Sequence, residues 1–299
     1  MFSQVSIIGC GLIGSSVFKR LKKNGKVKKV ITYDNDKSVT EVIQKQNLSD
    51  EIFSNPNDAV KNADLILIAT PISSFESVLN SIKDNLKPGS ILTDTCSVKK
   101  GVNKIVKNKK LKNSTWIPGH PVAGTENSGP KAGLPDLFQD RWTILTPDKN
   151  IKEEDLKKVS SFWESLGSKV KIMSEEEHDK ILSFTSHLPH AIAYNIVKTS
   201  MSHDEQVKSD IIRYSAGGLR DFSRIAASDP TMWKDIFIDN SSLIIEAINK
   251  FSESLDEFKK AIAEKNGEKL LEIFKKSKEF RKSIIQAGQD TDKPDFGRK

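Results

Sequence analysis

From residue 4 to about residue 147, short apolar runs alternate with segments whose apolar positions recur at helical spacing. The runs VSIIG (5–9), KVITYD (29–34), LILIAT (65–70), SILTDT (90–95) and WTILTP (142–147) have the length and β-branched content of strands buried on both faces. Between the first two lies LIGSSVFKRLKKNG (12–25), a helical pattern that stops at a glycine. Such alternation predicts a doubly wound, mostly parallel α/β sheet. After SKVKIMS (168–174) the strand signals cease. Residues 175–200 are helical in pattern, with a break or kink expected at Pro189. A further helix is expected to begin at Asp229 as N-cap with Pro230 in the first turn, and to keep an apolar stripe for many turns. Gly267 is expected to open the last helix, and QAGQDTDKPDFGRK reads as a loose tail.

Apolar residues lie on more than one face of these C-terminal helices, Ile236, Ile238, Leu243, Ile244, Ile245 and Ile248 among them. That surplus predicts a helical homodimer interface.

Charge changes this picture little. The chain carries 47 basic and 40 acidic residues, a net +7, but its lysines are interleaved with acids along amphipathic segments and read as a solvated surface. Aromatic residues do not alternate with the basic ones, which argues against nucleic-acid binding. Two cysteines, Cys10 and Cys96, build neither a disulfide framework nor a cysteine zinc site within one chain, so no metal is expected and a reducing cytoplasm fits. No apolar run reaches membrane-spanning length, and the N-terminus lacks the features of a signal peptide.

The chemistry begins at GCGLIG. Gly9, Gly11 and Gly14 stand in G-x-G-x-x-G spacing between an expected strand and an expected helix, with Leu12 and Ile13 opening the helix. The first glycine serves a tight turn, the second a close approach to a pyrophosphate, and the third the packing of helix on strand. Asp34 follows Gly14 by twenty positions at the end of the second strand, where a carboxylate binds ribose hydroxyls and repels a 2′-phosphate. NAD is therefore the expected cofactor in preference to NADP. Thr70 and Pro71 end another strand and belong to the loops that line a cofactor crevice. The expected division is an NAD-binding Rossmann-like domain over 1–174, an all-α substrate and dimerisation domain over 175–285, and a flexible tail over 286–299.

Later loops should face the nicotinamide. DTCSVKK brings Ser97 to the crevice, and GHPVAGTENSG presents His120 on a loop among glycines. Histidine suits a step that takes up a proton near neutral pH. SFTSHLPHAIAYN sets His187 and His190 three apart on one helical face, with no further ligands in view for a metal. GGLRDFSRIAASDPTMWKDI supplies Arg220, Asp221, Arg224 and Trp233, and arginines among small residues suit carboxylates.

Together, GCGLIGSS, DTCSVK, GHPVAGTENSG, SHLPHAIAY and RDFSRIAASDPTMWKDI resemble the prephenate dehydrogenase family, including its arogenate and cyclohexadienyl members, over about residues 5–240. The resemblance implies an NAD(P)-dependent oxidative decarboxylation on the route to tyrosine, in a homodimer of Rossmann and helical domains. His120 then resembles the catalytic histidine that meets the ring C4 hydroxyl, and Ser97 the serine that shares this contact. His190 is similar to a second histidine near the substrate, Arg224 to an arginine gripping a carboxylate, and Glu126 to an acidic residue at the site entrance. His187, Arg220 and Trp233 fall at positions expected to line the pocket. The rival readings are an arogenate-specific enzyme, another Rossmann dehydrogenase of the β-hydroxyacid or pyrroline-carboxylate reductase type, and a nucleotide-sensing binding protein without turnover. With no room for an appended regulatory domain after residue 285 or a fused mutase before residue 5, tyrosine inhibition would act at or near the active site.

Overall fold

A computed structural model describes residues 2–109 and 111–289. The chain divides into two compact units, Met1–Ile244 and Ile245–Lys299.

The first unit opens with β1 (Gln4–Ile8), α1 (Leu12–Asn24), β2 (Lys29–Tyr33), α2 (Lys37–Lys45), β3 (Glu51–Phe53), α3 (Pro56–Val60), β4 (Leu65–Ile68), α4 (Ile72–Ile82), β5 (Ile91–Asp94), α5 (Lys100–Lys109) and β6 (Thr115–Trp116). The six strands form one parallel sheet in the order β3-β2-β1-β4-β5-β6. The doubly wound α/β fold expected from the alternation is thus present. Side-chain alternation splits the strands between two cores. Val5, Ile7, Leu65 and Leu67 join Phe18, Phe138, Phe162 and Trp163 on one side. Ile8, Ile66, Ile68 and Leu92 join Phe75, Leu79, Ile82 and Val102 on the other. The central strands β1, β4 and β5 are therefore buried on both faces, the usual state of a parallel sheet covered by helices.

The segment WTILTP departs from the expectation. It forms β8 (Trp142–Leu145), which lies in a separate three-stranded sheet in the order β7-β8-β9 with β7 (Gly119–Pro121) and β9 (Lys169–Ile172). β7 runs antiparallel to β8 with His120 opposite Ile144, and β9 runs parallel to β8 across α6 (Glu153–Ser165). His120 is accordingly a strand residue and not a loop residue. A strand of only Gly119, His120 and Pro121 carries no periodicity, so it is legible only through its partner.

The helical part of the first unit contains α7 (Glu175–Leu182), α8 (Leu188–Ser200), α9 (Glu205–Arg213), α10 (Gly217–Ser223) and α11 (Pro230–Asp239). The break expected near Pro189 is a π-helical turn over Ser183–His187, after which Pro189 sits in the first turn of α8. The helix runs on through this turn, whose wider i to i−5 geometry accommodates a proline ring. Asp229 caps α11 by accepting from the Met232 N–H at 2.8 Å, with Pro230 in the first turn. The long helix expected beyond it is instead two, because Asn240 leaves helical geometry (φ −104°, ψ 26°) before α12 (Ser241–Ala263).

The second unit holds most of α12 and α13 (Gly267–Gln286), the latter capped by Asn266 through the Lys269 N–H. Phe258 and Phe274 meet edge to face at 5.9 Å between ring centres. Ile245, Phe251, Leu255, Leu271, Phe274 and Phe280 of this unit are exposed to solvent. The expected tail lies beyond Gln289 for most of its length, outside the described residues. Among the described residues no helix is long and apolar enough to cross a membrane.

Two glycines of the first turn differ in a way that is open to test. Gly9 holds φ +92°, and a Cβ there would lie 2.7 Å from the Ala69 carbonyl oxygen. Gly11 holds φ −65°, and a Cβ there would meet nothing within 4 Å. Gly9→Ala is expected to lower stability by more than about 1 kcal/mol in urea denaturation, whereas Gly11→Ala leaves the midpoint nearly unchanged.

Candidate active site

The strand order reverses direction between β1 and β4, and the crevice beyond their carboxyl ends is where such sheets bind ligands. The glycine loop lies at this edge. Gly14 packs so closely that an added Cβ would collide with the Gly9 carbonyl. Leu12 and Ile13 begin α1, whose first turn has neither an acidic residue nor a side-chain cap. Its N–H groups are thus available to an anion, and the open space at Gly11 leaves room for one. Asp34 braces the loop, its carboxylate accepting from the Cys10 N–H at 2.7 Å and from the Asp36 N–H at 2.9 Å. Thr70 lies against Gly9 with a buried hydroxyl that has no hydrogen-bond partner, and Pro71 precedes α4. These residues fit a dinucleotide.

The carboxyl end of β5 carries the next layer. Asp94 and Lys99 are fully buried and paired at 2.5 Å. Asp94 also accepts from the Gly119 N–H at 2.9 Å, and Lys99 donates to the Gly119 carbonyl at 2.6 Å. Both backbone groups of Gly119 are therefore held by one ion pair, which fastens β7 to the end of β5 and sets His120 there. Desolvating two charges is tolerated where pairing is backed by further hydrogen bonds, as it is here.

His120 is 7% exposed. Its Nδ1 lies 2.9 Å from Nε2 of His178, and Nδ1 of His178 lies 2.7 Å from Asp179. Among the described residues nothing hydrogen-bonds Nε2 of His120. Asp179 accepts in addition from the backbone N–H groups of Lys99 and Lys100, at 2.9 and 3.0 Å. Burial pushes the Asp179 carboxyl up, but the hydrogen bonds from His178 and from these two N–H groups outweigh it and hold the carboxyl below its ordinary value. Burial, followed by the fields of His178, Lys99 and His187, drives His120 well below the ordinary histidine value. Burial also lowers His178, against the pull of Asp179.

His187 and His190 follow on the π-turn and on α8. Asn240 donates to Nδ1 of His187 at 3.2 Å and to the Asp179 carbonyl at 3.0 Å, while Nε2 of His187 is buried without a partner. His190 donates from Nδ1 to the Ser186 carbonyl at 2.9 Å and stacks on Trp233 at 3.6 Å between ring centres. Trp233 also meets His187 edge to face at 6.1 Å, and its Nε1 is buried without a partner. Arg224 pairs with Glu126 at 3.0 Å. Its charge depresses His190, although burial of that ring contributes more.

The structure thus joins His120 to His178, and His187 and His190 to Trp233, and it pairs Arg224 with Glu126. Ser97 lies half-buried in the bend after β5, three residues from Asp94. Arg220 is exposed on α10 and pairs with its neighbour Asp221 at 3.3 Å, with no hydrogen bond to the histidines. Asp94, Lys99, His178 and Asp179 escaped the sequence reading. Lys99 stands in a Lys-Lys pair that reads as solvated surface, and His178 and Asp179 sit in an acidic helix start. Only the fold brings these four together. No group of three or more His, Cys, Asp or Glu side chains among the described residues is arranged to hold a metal ion.

Comparison with known proteins gives a consistent picture. Residues 17–172 match the family model described as "Prephenate dehydrogenase, nucleotide-binding domain" and residues 174–276 the one described as "Prephenate dehydrogenase, dimerization domain". The chain is 38% identical to a cyclohexadienyl dehydrogenase of Zymomonas mobilis, over 95% of this chain and 97% of that protein. It is 28% identical to a prephenate dehydrogenase of Bacillus subtilis, over 95% of this chain and 76% of that protein. Among solved structures it is similar to the prephenate dehydrogenase of A. aeolicus in complex with hydroxyphenyl propionate and NAD+. The TM-score is 0.87 at 34% identity, covering 95% of this chain and 99% of that one.

The buried histidines link the site to stability. Burial pushes His187 down to about 4 from 6.5, with Asp179 opposing and His178 and His190 assisting. Between these values the unfolded chain holds a proton that the folded chain does not. The stability due to neutral His187 is therefore complete above pH 6.5 and is lost as pH falls towards 4. Melting temperature is expected to fall across this window, and His187→Asn to make the fall shallower in a thermal-shift series.

Proposed function

Because the chain belongs to the prephenate dehydrogenase family, we propose that it oxidatively decarboxylates prephenate, arogenate or both, yielding 4-hydroxyphenylpyruvate or tyrosine. NAD, when bound, supplies the hydride acceptor. The observation that carries this reading is His120, buried at the carboxyl edge of the sheet with Nδ1 engaged by His178 and Nε2 without a protein partner.

The residues divide the work as follows. The N-terminus of α1 and the glycine loop bind the pyrophosphate, and Asp34 receives the adenosine ribose. Its negative charge sets NAD above NADP. Thr70 and Pro71 line the same crevice. Nε2 of His120 accepts the proton of the ring C4 hydroxyl as hydride leaves C4, and Ser97 shares the hydroxyl contact. The developing carbonyl is conjugated through the ring to the carbon bearing the carboxylate. That carboxylate then departs as carbon dioxide, its bonding electrons complete the aromatic ring, and the phenolate oxygen so formed takes back the proton that His120 accepted.

Arg224 grips a substrate carboxylate in place of part of its pairing with Glu126 at the entrance. His190, His187 and Trp233 line the pocket, and Arg220 adds positive charge at its rim. The working boundary between nucleotide and substrate halves lies near residue 174, supported by the junction of the two family matches. The helical part, over 175–285, serves substrate binding and dimerisation.

The exposed apolar side chains of the second unit support a homodimer, since patches of that kind are normally covered by a partner. Two buried, unpaired cysteines support a reducing cytoplasm.

Initial rates of NADH formation with prephenate and with arogenate, each repeated with NADP, test the reading. Wild type is expected to turn over at least one substrate with higher kcat/KM for NAD. His120→Asn is expected to lower kcat by ~10²–10⁴ while substrate still binds. Arg224→Ala is expected chiefly to raise KM, and Gly11→Ala to weaken NAD without unfolding the chain. Nucleotide binding with no turnover of either substrate would overturn the reading.

A further inference from the structure

The carboxylate of Asp179 sets the direction of a hydrogen-bond chain that ends in the substrate pocket. With backbone N–H groups of Lys99 and Lys100 donating to it, and its carboxyl held below the ordinary range, Asp179 is an acceptor only. The group 2.7 Å away, Nδ1 of His178, must then carry the proton. A neutral His178 presents a lone pair at Nε2, so Nδ1 of His120, 2.9 Å away, must donate to it. The rings meet nearly edge on, with 68° between their planes and 5.1 Å between their centres. One tautomer of His120 satisfies this chain: Nδ1–H, with the lone pair on Nε2.

We infer that His178 and Asp179 are positioning residues that lock His120 as the Nδ1–H tautomer and receive the charge created when its Nε2 accepts the substrate proton. The inference rests on the reading of His120 given above and extends it to two side chains that touch neither substrate nor cofactor.

The proton count closes. One proton passes from the C4 hydroxyl to Nε2 of His120, and the proton already on Nδ1 shifts across 2.9 Å to Nε2 of His178. His178 becomes an imidazolium whose Nδ1–H still donates to Asp179. His120 stays neutral and now carries its proton on Nε2.

The surroundings call for such a transfer. Burial above all, and then the charge of Lys99 on the turn before α5, disfavour a cation on His120. His178, by contrast, faces Asp179, with Asp94 also contributing negative potential against Lys99. Asp239, on α11, adds a further acid near Asp179 and Lys99. A charge shared with His178 therefore sits beside a carboxylate instead of inside a cationic field.

The test uses the full-length chain labelled with 15N at histidine. Only five histidines are present, so single substitutions assign every ring. In two-bond 1H–15N spectra near neutral pH, His120 is expected to be protonated at Nδ1 and bare at Nε2. His178→Leu removes the acceptor and is expected to give a mixed or reversed tautomer. It should also lower kcat by at least ~100-fold with substrate KM and NAD affinity near wild type. His178→Gln retains an acceptor oxygen but takes up no proton, and is expected to keep the tautomer with a kcat between those of wild type and His178→Leu. This separates acceptor loss from a packing defect. A wild-type His120 protonated at Nε2, or a His178→Leu kcat within about threefold of wild type, would overturn the inference. The spectra need no substrate, so their outcome is independent of whether prephenate or arogenate is turned over.

Discussion

The buried pair between Asp94 and Lys99 is the interaction on which the site depends. It places two opposite, fully buried charges at the end of the strand that neighbours β4 in the nucleotide-binding sheet. Removing one partner from such a pair costs about 3–5 kcal/mol, because the other charge stays buried and alone. The arrangement is tolerated because each ion has hydrogen bonds beyond the pair itself. Asp94 accepts from the N–H groups of Cys96 and Gly119, and Lys99 donates to the Gly119 carbonyl. A three-residue strand too short to be stable alone is thereby fixed at one end, and its middle residue is His120.

The same bend organises the second half of the site. The backbone N–H groups of Lys99 and Lys100 bind the Asp179 carboxylate, so the turn that holds β7 also holds the start of the helical region. Asn240 continues the connection from the Asp179 carbonyl to His187. Parallel-sheet edge, the strand of His120 and the histidine-bearing helices are joined by a few buried hydrogen bonds. Depressed histidine values follow from this packing, since each ring has been taken from water to reach its place.

Sequence legibility followed the physics of each feature. The parallel sheet was readable because strands buried on both faces must be continuously apolar, and the glycine loop because its backbone tolerates no side chain at Gly9 or Gly14. Asp229 and Pro230 announced the start of α11 through local capping chemistry. The π-turn before Pro189 was visible as a break but not as a geometry. The separation of β8 from the main sheet was hidden, since an apolar strand carries no label for its partner. His120, His190 and Arg224 stood out against small and glycine-rich surroundings. Lys99 and Asp179 did not, because a buried charge is recognisable only by the partner that the fold delivers.

Turnover by folded Lys99→Met, with NAD affinity measured on the same preparation, tests most directly whether this ion pair sets His120 in place for the proposed proton transfer. The variant is to be assayed below its melting temperature. The expected result is a kcat about 100-fold below wild type, a loss typical of a reacting group misplaced by about 1 Å, with NAD bound as tightly as before. Wild-type turnover in a folded Lys99→Met protein would contradict the account.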